Sequence, residues 1–139
     1  MIRDKLNRFG SFVCGIILIF VGIIVYSNNY QCSWHFDDFS YIVNNPTIRN
    51  LTDFWSIWER LSAPGRTVVL YSFALNYHFG KTEILGYHVV NNAIHIISSV
   101  LIYWMTFHLL QTPRVRSLNI STQQKVLALF VALIFLTHP

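Results

Sequence analysis

Asp37 and Asp38 stand side by side in Trp34-His35-Phe36-Asp37-Asp38-Phe39, about ten residues past a membrane-length apolar run, and are two of only six acidic residues in the chain. Adjacent carboxylates repel each other, and aromatic neighbours strip water from them, so the pair calls for a cation or for hydrogen bonds. Held just outside a bilayer, such a pair can act as a base, or hold a divalent cation, for chemistry at the membrane surface. The dipeptide alone equally fits a solvated helix cap, a common duty of aspartate.

Two further groups could carry chemistry. Arg66 opens the apolar stretch Thr67 to Phe79, which Gly80 closes. At headgroup level its guanidinium would meet a phosphate, or serve only as an interfacial anchor. His88, Asn92, His95 and Ser99 follow spacings of four, three and four residues, which places them on one helical face, and Asn91 and Ser98 broaden it. Imidazole and carboxamide groups are costly in hydrocarbon and should face other helices or a wet cavity. The stripe is therefore either interhelical hydrogen bonding or a polar cleft reaching toward mid-membrane. His88 and His95 are not a zinc pair, because they lie about two turns apart and no third ligand is evident.

The elements that must position these groups follow from composition. The chain is 53% hydrophobic and 12% charged, against about 25% charged in soluble domains. The expected fold is all-α: polytopic membrane helices with a helical extracytoplasmic loop. Residues 1–8 form a basic cytoplasmic N-terminus, 9–27 a first transmembrane helix, and 28–86 the outer loop. Residues 87–110 form a second span and 111–125 a cytoplasmic loop. Residues 126–139 start a third span with too few apolar residues to cross a core of roughly 30 Å, so the chain is expected to be the N-terminal fragment of a larger bundle. A cleaved signal peptide competes for the first segment, but Ser27-Asn28-Asn29-Tyr30 lacks the small-x-small pattern.

Arg3, Lys5 and Arg8 before the first span, and Arg114, Arg116 and Lys125 after the second, orient both segments toward the cytoplasm. The loop with the aspartates then lies outside, in the lumen or periplasm. Within it, Asn44-Asn45-Pro46 marks a turn. A helix capped by Thr52 or Asp53 should run to about Leu61 with Trp55 and Trp58, and a buried or re-entrant helix should cover 67–79. Asn50-Leu51-Thr52 is a glycosylation pattern on the outer side. The net charge of +4 reports cytoplasmic anchoring and goes with no nucleic-acid module. Two cysteines, Cys14 in the first span and Cys32 beyond it, offer neither a credible disulfide nor metal-type spacing.

The ordered set Phe36-Asp37-Asp38, Ile42-Val43-Asn44-Asn45-Pro46-Thr47-Ile48-Arg49, Arg66 ahead of Ser72-Phe73-Ala74-Leu75-Asn76-Tyr77, Gly86-Tyr87-His88-Val89-Val90-Asn91 with His95, and His138-Pro139 resembles the N-terminal region of polytopic glycosyltransferases of the C superfamily. It is most like the transmembrane O-mannosyltransferases with tetratricopeptide repeats and their bacterial relatives. The resemblance implies transfer of a sugar, mannose above all, from a polyprenyl (dolichyl) phosphate donor to a protein hydroxyl on the lumenal or periplasmic face, with inversion at the anomeric centre. It implies catalytic roles for Asp37 and Asp38, a donor-phosphate role for Arg66, and a polar cleft of His88, Asn91, Asn92, His95 and His138. The implied partners are the bilayer, the lipid-linked donor and an acceptor protein, in the endoplasmic reticulum or bacterial inner membrane. Any metal would sit on Asp37 and Asp38, and a divalent cation is the cofactor the pair suggests. Alone, the chain is expected to be inactive. From other classes, a small non-catalytic membrane protein that joins a complex through its polar face, or a channel segment, would use the same stripe without the aspartates.

Overall fold

A computed structural model of the chain describes residues 2–51, 66–116 and 123–138. Among these residues every regular element is helical. The longer helices are α1 (Ile2–Val25), α2 (Thr67–Gly80), α3 (Ile84–Leu110) and α4 (Gln124–Thr137). Between α1 and α2 come 3-10 turns at Ser27–Gln31 and Pro46–Arg49 and a π-helical turn at Phe39–Val43. The turn expected at Asn44-Asn45-Pro46 is there. Asn45 accepts a hydrogen bond from the Thr47 N–H at 2.9 Å, and Pro46 supplies the fixed φ that starts the 3-10 turn. The helix expected over about 52–61 lies outside the described residues.

Two helices start earlier than the apolar pattern suggests. α1 runs from Ile2 rather than Phe9, because Arg, Lys and Leu are good helix formers and nothing in residues 2–8 breaks a helix. α3 starts at Ile84, directly after the Gly80–Glu83 turn.

One described helix, α3, is long and apolar enough to cross a membrane; the apolar parts of α1 (Phe9–Val25) and α4 are shorter. Only 11% of the most apolar window of α3 is buried. The core helix of a soluble domain would be mostly covered. This one leaves Leu101, Trp104, Met105 and Leu109 exposed, as a helix in lipid or against further helices would.

The chain divides into two compact units, Met1–Ser27 with Asn91–Pro139, and Asn28–Val90. In the first, α1 and α4 pack closely along a stripe of small residues. Ala128, Ala132 and Leu136 recur every fourth residue on α4 and are fully buried with Leu18 of α1 and Tyr103 of α3. Small side chains let helix backbones approach, which is how helices associate where apolar burial alone gives no preference. Gly22 faces α3 and α4 at close range: a Cβ there would lie 2.6 Å from Ile96 Cγ1 of α3 and 3.3 Å from Leu136 Cδ1 of α4. Gly22→Val should therefore destabilise this unit by about 1–3 kcal/mol through overpacking, despite the better helix propensity of valine. Thermal unfolding in neutral micelles reads the effect, and an unchanged midpoint would contradict this packing.

In the second unit Ile42, Ile48, Leu70, Ala74 and Tyr87 form the core, with Trp34 and Phe73 packed around it. Trp34 meets Tyr87 edge-on, with ring centroids 5.1 Å apart. This small core holds the aspartate turn and α2 in one unit.

Candidate active-site turn and polar helix face

The two aspartates are not equivalent. Asp38 turns back and accepts a hydrogen bond from the His35 N–H at 3.1 Å, while its own N–H donates to the His35 carbonyl at 2.9 Å. This is the reach-back half of a capping box, and it gives Asp38 the capping duty that aspartate so often has. Asp37 is exposed and has no hydrogen bond or ion pair among the described residues.

The backbone that presents it is strained. Phe36 adopts φ 39°, a left-handed conformation costing an L residue about 1–2 kcal/mol, and its ring is 93% exposed. The sharp turn at Phe36 sets Asp37 at the head of the π-helical turn. Strain of this kind gathers at functional positions.

Arg66 docks on that same turn. Its Nη1 donates to the Tyr41 hydroxyl, and its guanidinium carbon lies 5.2 Å from the centre of the Tyr41 ring. Tyr41 sits in the turn that Asp38 begins, so the ring ties the arginine to the segment carrying the acid pair. Arg66 forms no ion pair with either aspartate, and its charge is uncompensated among the described residues. Sequence reasoning named both ends of this arrangement and missed Tyr41, whose only signal was its place one turn beyond the aspartates. Among the described residues no three His, Cys, Asp or Glu side chains converge as metal ligands, and Cys14 and Cys32 are free thiols.

The polar stripe separates into used and unused groups. Ser99 is fully buried and donates to the Ala132 carbonyl at 2.9 Å. The Tyr26 hydroxyl donates to the Leu136 carbonyl at 2.8 Å, and His95 Nε2 lies 3.2 Å from that carbonyl and 3.1 Å from the hydroxyl. With the tyrosine proton on Leu136, the pattern assigns the imidazole proton to Nε2. Leu136 is in the last turn of α4, where carbonyls lack helical partners, so Tyr26 and His95 cap that end. Asn91 is exposed, and His138 is the exposed C-cap residue of α4, its N–H donating to the Ile134 carbonyl at 3.1 Å. His88 Nε2 and Asn92 Nδ2 are buried with no hydrogen-bond partner among the described residues. Each such group costs of the order of 1–3 kcal/mol unless something supplies a hydrogen-bond partner.

No known protein-family profile matches the chain. Individual relatives do. It is 36% identical to a protein O-mannosyl-transferase of Caenorhabditis elegans over 99 residues, covering 63% of this chain and 14% of the relative. It is 31% identical to the human protein O-mannosyl-transferase TMTC4 over 135 residues, covering 86% of this chain and 18% of the relative. With human TMTC3 the identity is 27% over 136 residues, 88% of this chain and 13% of the relative. The chain is thus similar to protein O-mannosyl-transferases and spans less than a fifth of the length of each of these three. No solved structure matches.

Proposed function

We propose that this chain is part of a multi-pass membrane glycosyltransferase that moves a sugar, mannose by the naming of its relatives, from a polyprenyl-phosphate donor to a protein hydroxyl on the lumenal or periplasmic face. The membrane is that of the endoplasmic reticulum if the source is eukaryotic, and the inner membrane if it is bacterial. Asp37 removes the proton of the acceptor hydroxyl as its oxygen attacks the anomeric carbon. The bond from that carbon to the phosphate oxygen breaks, its electron pair leaves with the lipid phosphate, and Arg66 stabilises the charge that develops there. Asp38 holds the turn in shape. A divalent cation on the pair would have to draw ligands from beyond it.

The observation that supports this most is that an arginine docks through Tyr41 on the turn that carries Asp37, each of the two charges without a counter-charge among the described residues. General-base and leaving-group roles need those two groups on one surface. His88 Nε2 and Asn92 Nδ2 have no hydrogen-bond partner among the described residues, which supports a bundle completed by further helices, and hence a chain inactive in isolation. His95 and Ser99 already serve helix packing, which favours a structural role for that part of the stripe.

Topology is tested by cysteine labelling in a background with Cys14 and Cys32 changed to serine. Thr82 and Thr112 are exposed at the two ends of α3. Thr82→Cys should react with an impermeant reagent on the lumenal or periplasmic side, and Thr112→Cys only from the cytoplasm. The opposite order would put the aspartates in the cytoplasm, away from the proposed reaction.

A further inference from the structure

A second pair of cations, unused in the proposed reaction, gathers around Tyr77. The Arg49 guanidinium carbon lies 5.1 Å from the centre of the Tyr77 ring and Lys81 Nζ lies 5.2 Å from it. We propose that Arg49 and Lys81 form a binding site for the phosphate ester of a lipid, built from residues other than those on the Arg66 turn.

The Arg49 guanidinium and the Lys81 backbone are both held in place. Arg49 donates from Nη1 to the Tyr77 hydroxyl at 2.9 Å and from Nη2 to the Val43 carbonyl at 2.8 Å. A guanidinium has five N–H donors, so three remain for a ligand. Lys81 ends α2 at φ 55° and ψ −121°, a backbone conformation that glycine tolerates far better than lysine. Its N–H donates to the Tyr77 carbonyl at 2.9 Å, and its carbonyl accepts from the Tyr87 hydroxyl at 3.0 Å. The fold thus fixes a lysine at a position where helices ordinarily place glycine. That choice is explained if the ammonium group is used.

The charges have no counter-ion among the described residues. Among the described residues no carboxylate lies within ion-pair distance of Arg49 or Lys81, and Glu83, two residues on, is exposed and does not close on Lys81. Two like charges held near one ring repel each other, and an anion bound beside them relieves that cost. The forked guanidinium matches phosphate oxygens, with the ammonium adding a point charge. Lys81 also lies three residues before Ile84, the first residue of the helix long enough to cross a membrane, which is where lipid phosphates sit. The ligand is therefore a phosphate ester, borne either by a phospholipid headgroup or by a polyprenyl chain.

Amine-reactive labelling of the 139-residue chain in neutral micelles tests the site, with mass spectrometry resolving its three lysines, Lys5, Lys81 and Lys125. Millimolar short-chain phosphatidylglycerol or citronellyl phosphate should lower labelling of Lys81 several-fold and leave Lys5 and Lys125 unchanged. Protection by both probes assigns the site to phosphate esters in general, and protection by citronellyl phosphate alone assigns it to polyprenyl phosphates. Arg49→Gln should abolish protection and Arg66→Gln should retain it. Because Arg49→Gln also removes the bond to Val43, Lys81→Gln provides a second variant: phosphorus NMR should show several-fold weaker citronellyl phosphate binding with helical circular dichroism unchanged. Unaltered Lys81 labelling with every phosphate ester, or protection that survives Arg49→Gln, would overturn the proposal. The result does not depend on sugar transfer, so the failure of either idea leaves the other standing.

Discussion

Asp37→Asn is expected to lower sugar transfer by at least about 100-fold, the usual scale for loss of a general base. The assay uses a chimera in which this chain replaces the matching segment of the Caenorhabditis elegans relative. The substitution nearly preserves volume and breaks no hydrogen bond among the described residues, so expression and membrane insertion should not change. Asp38→Asn keeps an oxygen that can accept from the His35 N–H, and its effect should be much smaller. Asp38→Ala loses that acceptor and should destabilise the turn by about 0.5–2 kcal/mol, the range for a lost cap. If both asparagine variants lost folding together with no selective loss of turnover, the pair would be a cap and nothing more.

Arg66→Gln should reduce turnover by about 100-fold, mainly in kcat, because its charge is needed as the phosphate leaves and less so before. Arg66→Lys keeps charge without the fork and should recover part of that loss. Tyr41→Phe removes the hydrogen bond to Arg66 but keeps the ring beneath it, and should cost less than tenfold if Tyr41 only positions the arginine. An Arg66→Gln variant with normal kcat and raised KM would make the residue an anchor for bound lipid.

Much of the helical fold was visible in the apolar runs, because a segment that must face lipid or a helix partner has little choice of composition. α2 was expected over 67–79 and is found at Thr67–Gly80. The start of α1 was not visible, because basic residues that flank a span are also good helix formers. Multi-pass character rests on charge asymmetry and hydropathy pattern, since one described helix alone is long and apolar enough to cross.

The site was visible in part. Adjacency located the two aspartates but could not say which one turns back, because that depends on the left-handed backbone at Phe36, a residue type with no preference for it. Helical spacing put His88, Asn92, His95 and Ser99 on one face, yet only tertiary partners distinguish the bonded His95 and Ser99 from Asn92, whose Nδ2 has no partner among the described residues. Tyr26 and Tyr41 escaped notice for a common reason: tyrosine near a membrane surface is expected on interfacial grounds, which hides a specific hydrogen-bonding duty. Arg49 was noted only as the end of a motif. Its position against Tyr77 spans 28 residues and has no local signal.

The most direct measurement is transfer of labelled mannose from a synthetic polyprenyl-phosphate mannose to acceptor protein by membranes carrying the chimera, with and without Asp37→Asn. The proposed function predicts that the chimera transfers mannose to a protein hydroxyl and that Asp37→Asn, inserted at the same level, reduces that transfer by about 100-fold or more. Equal transfer by the two membranes would contradict it.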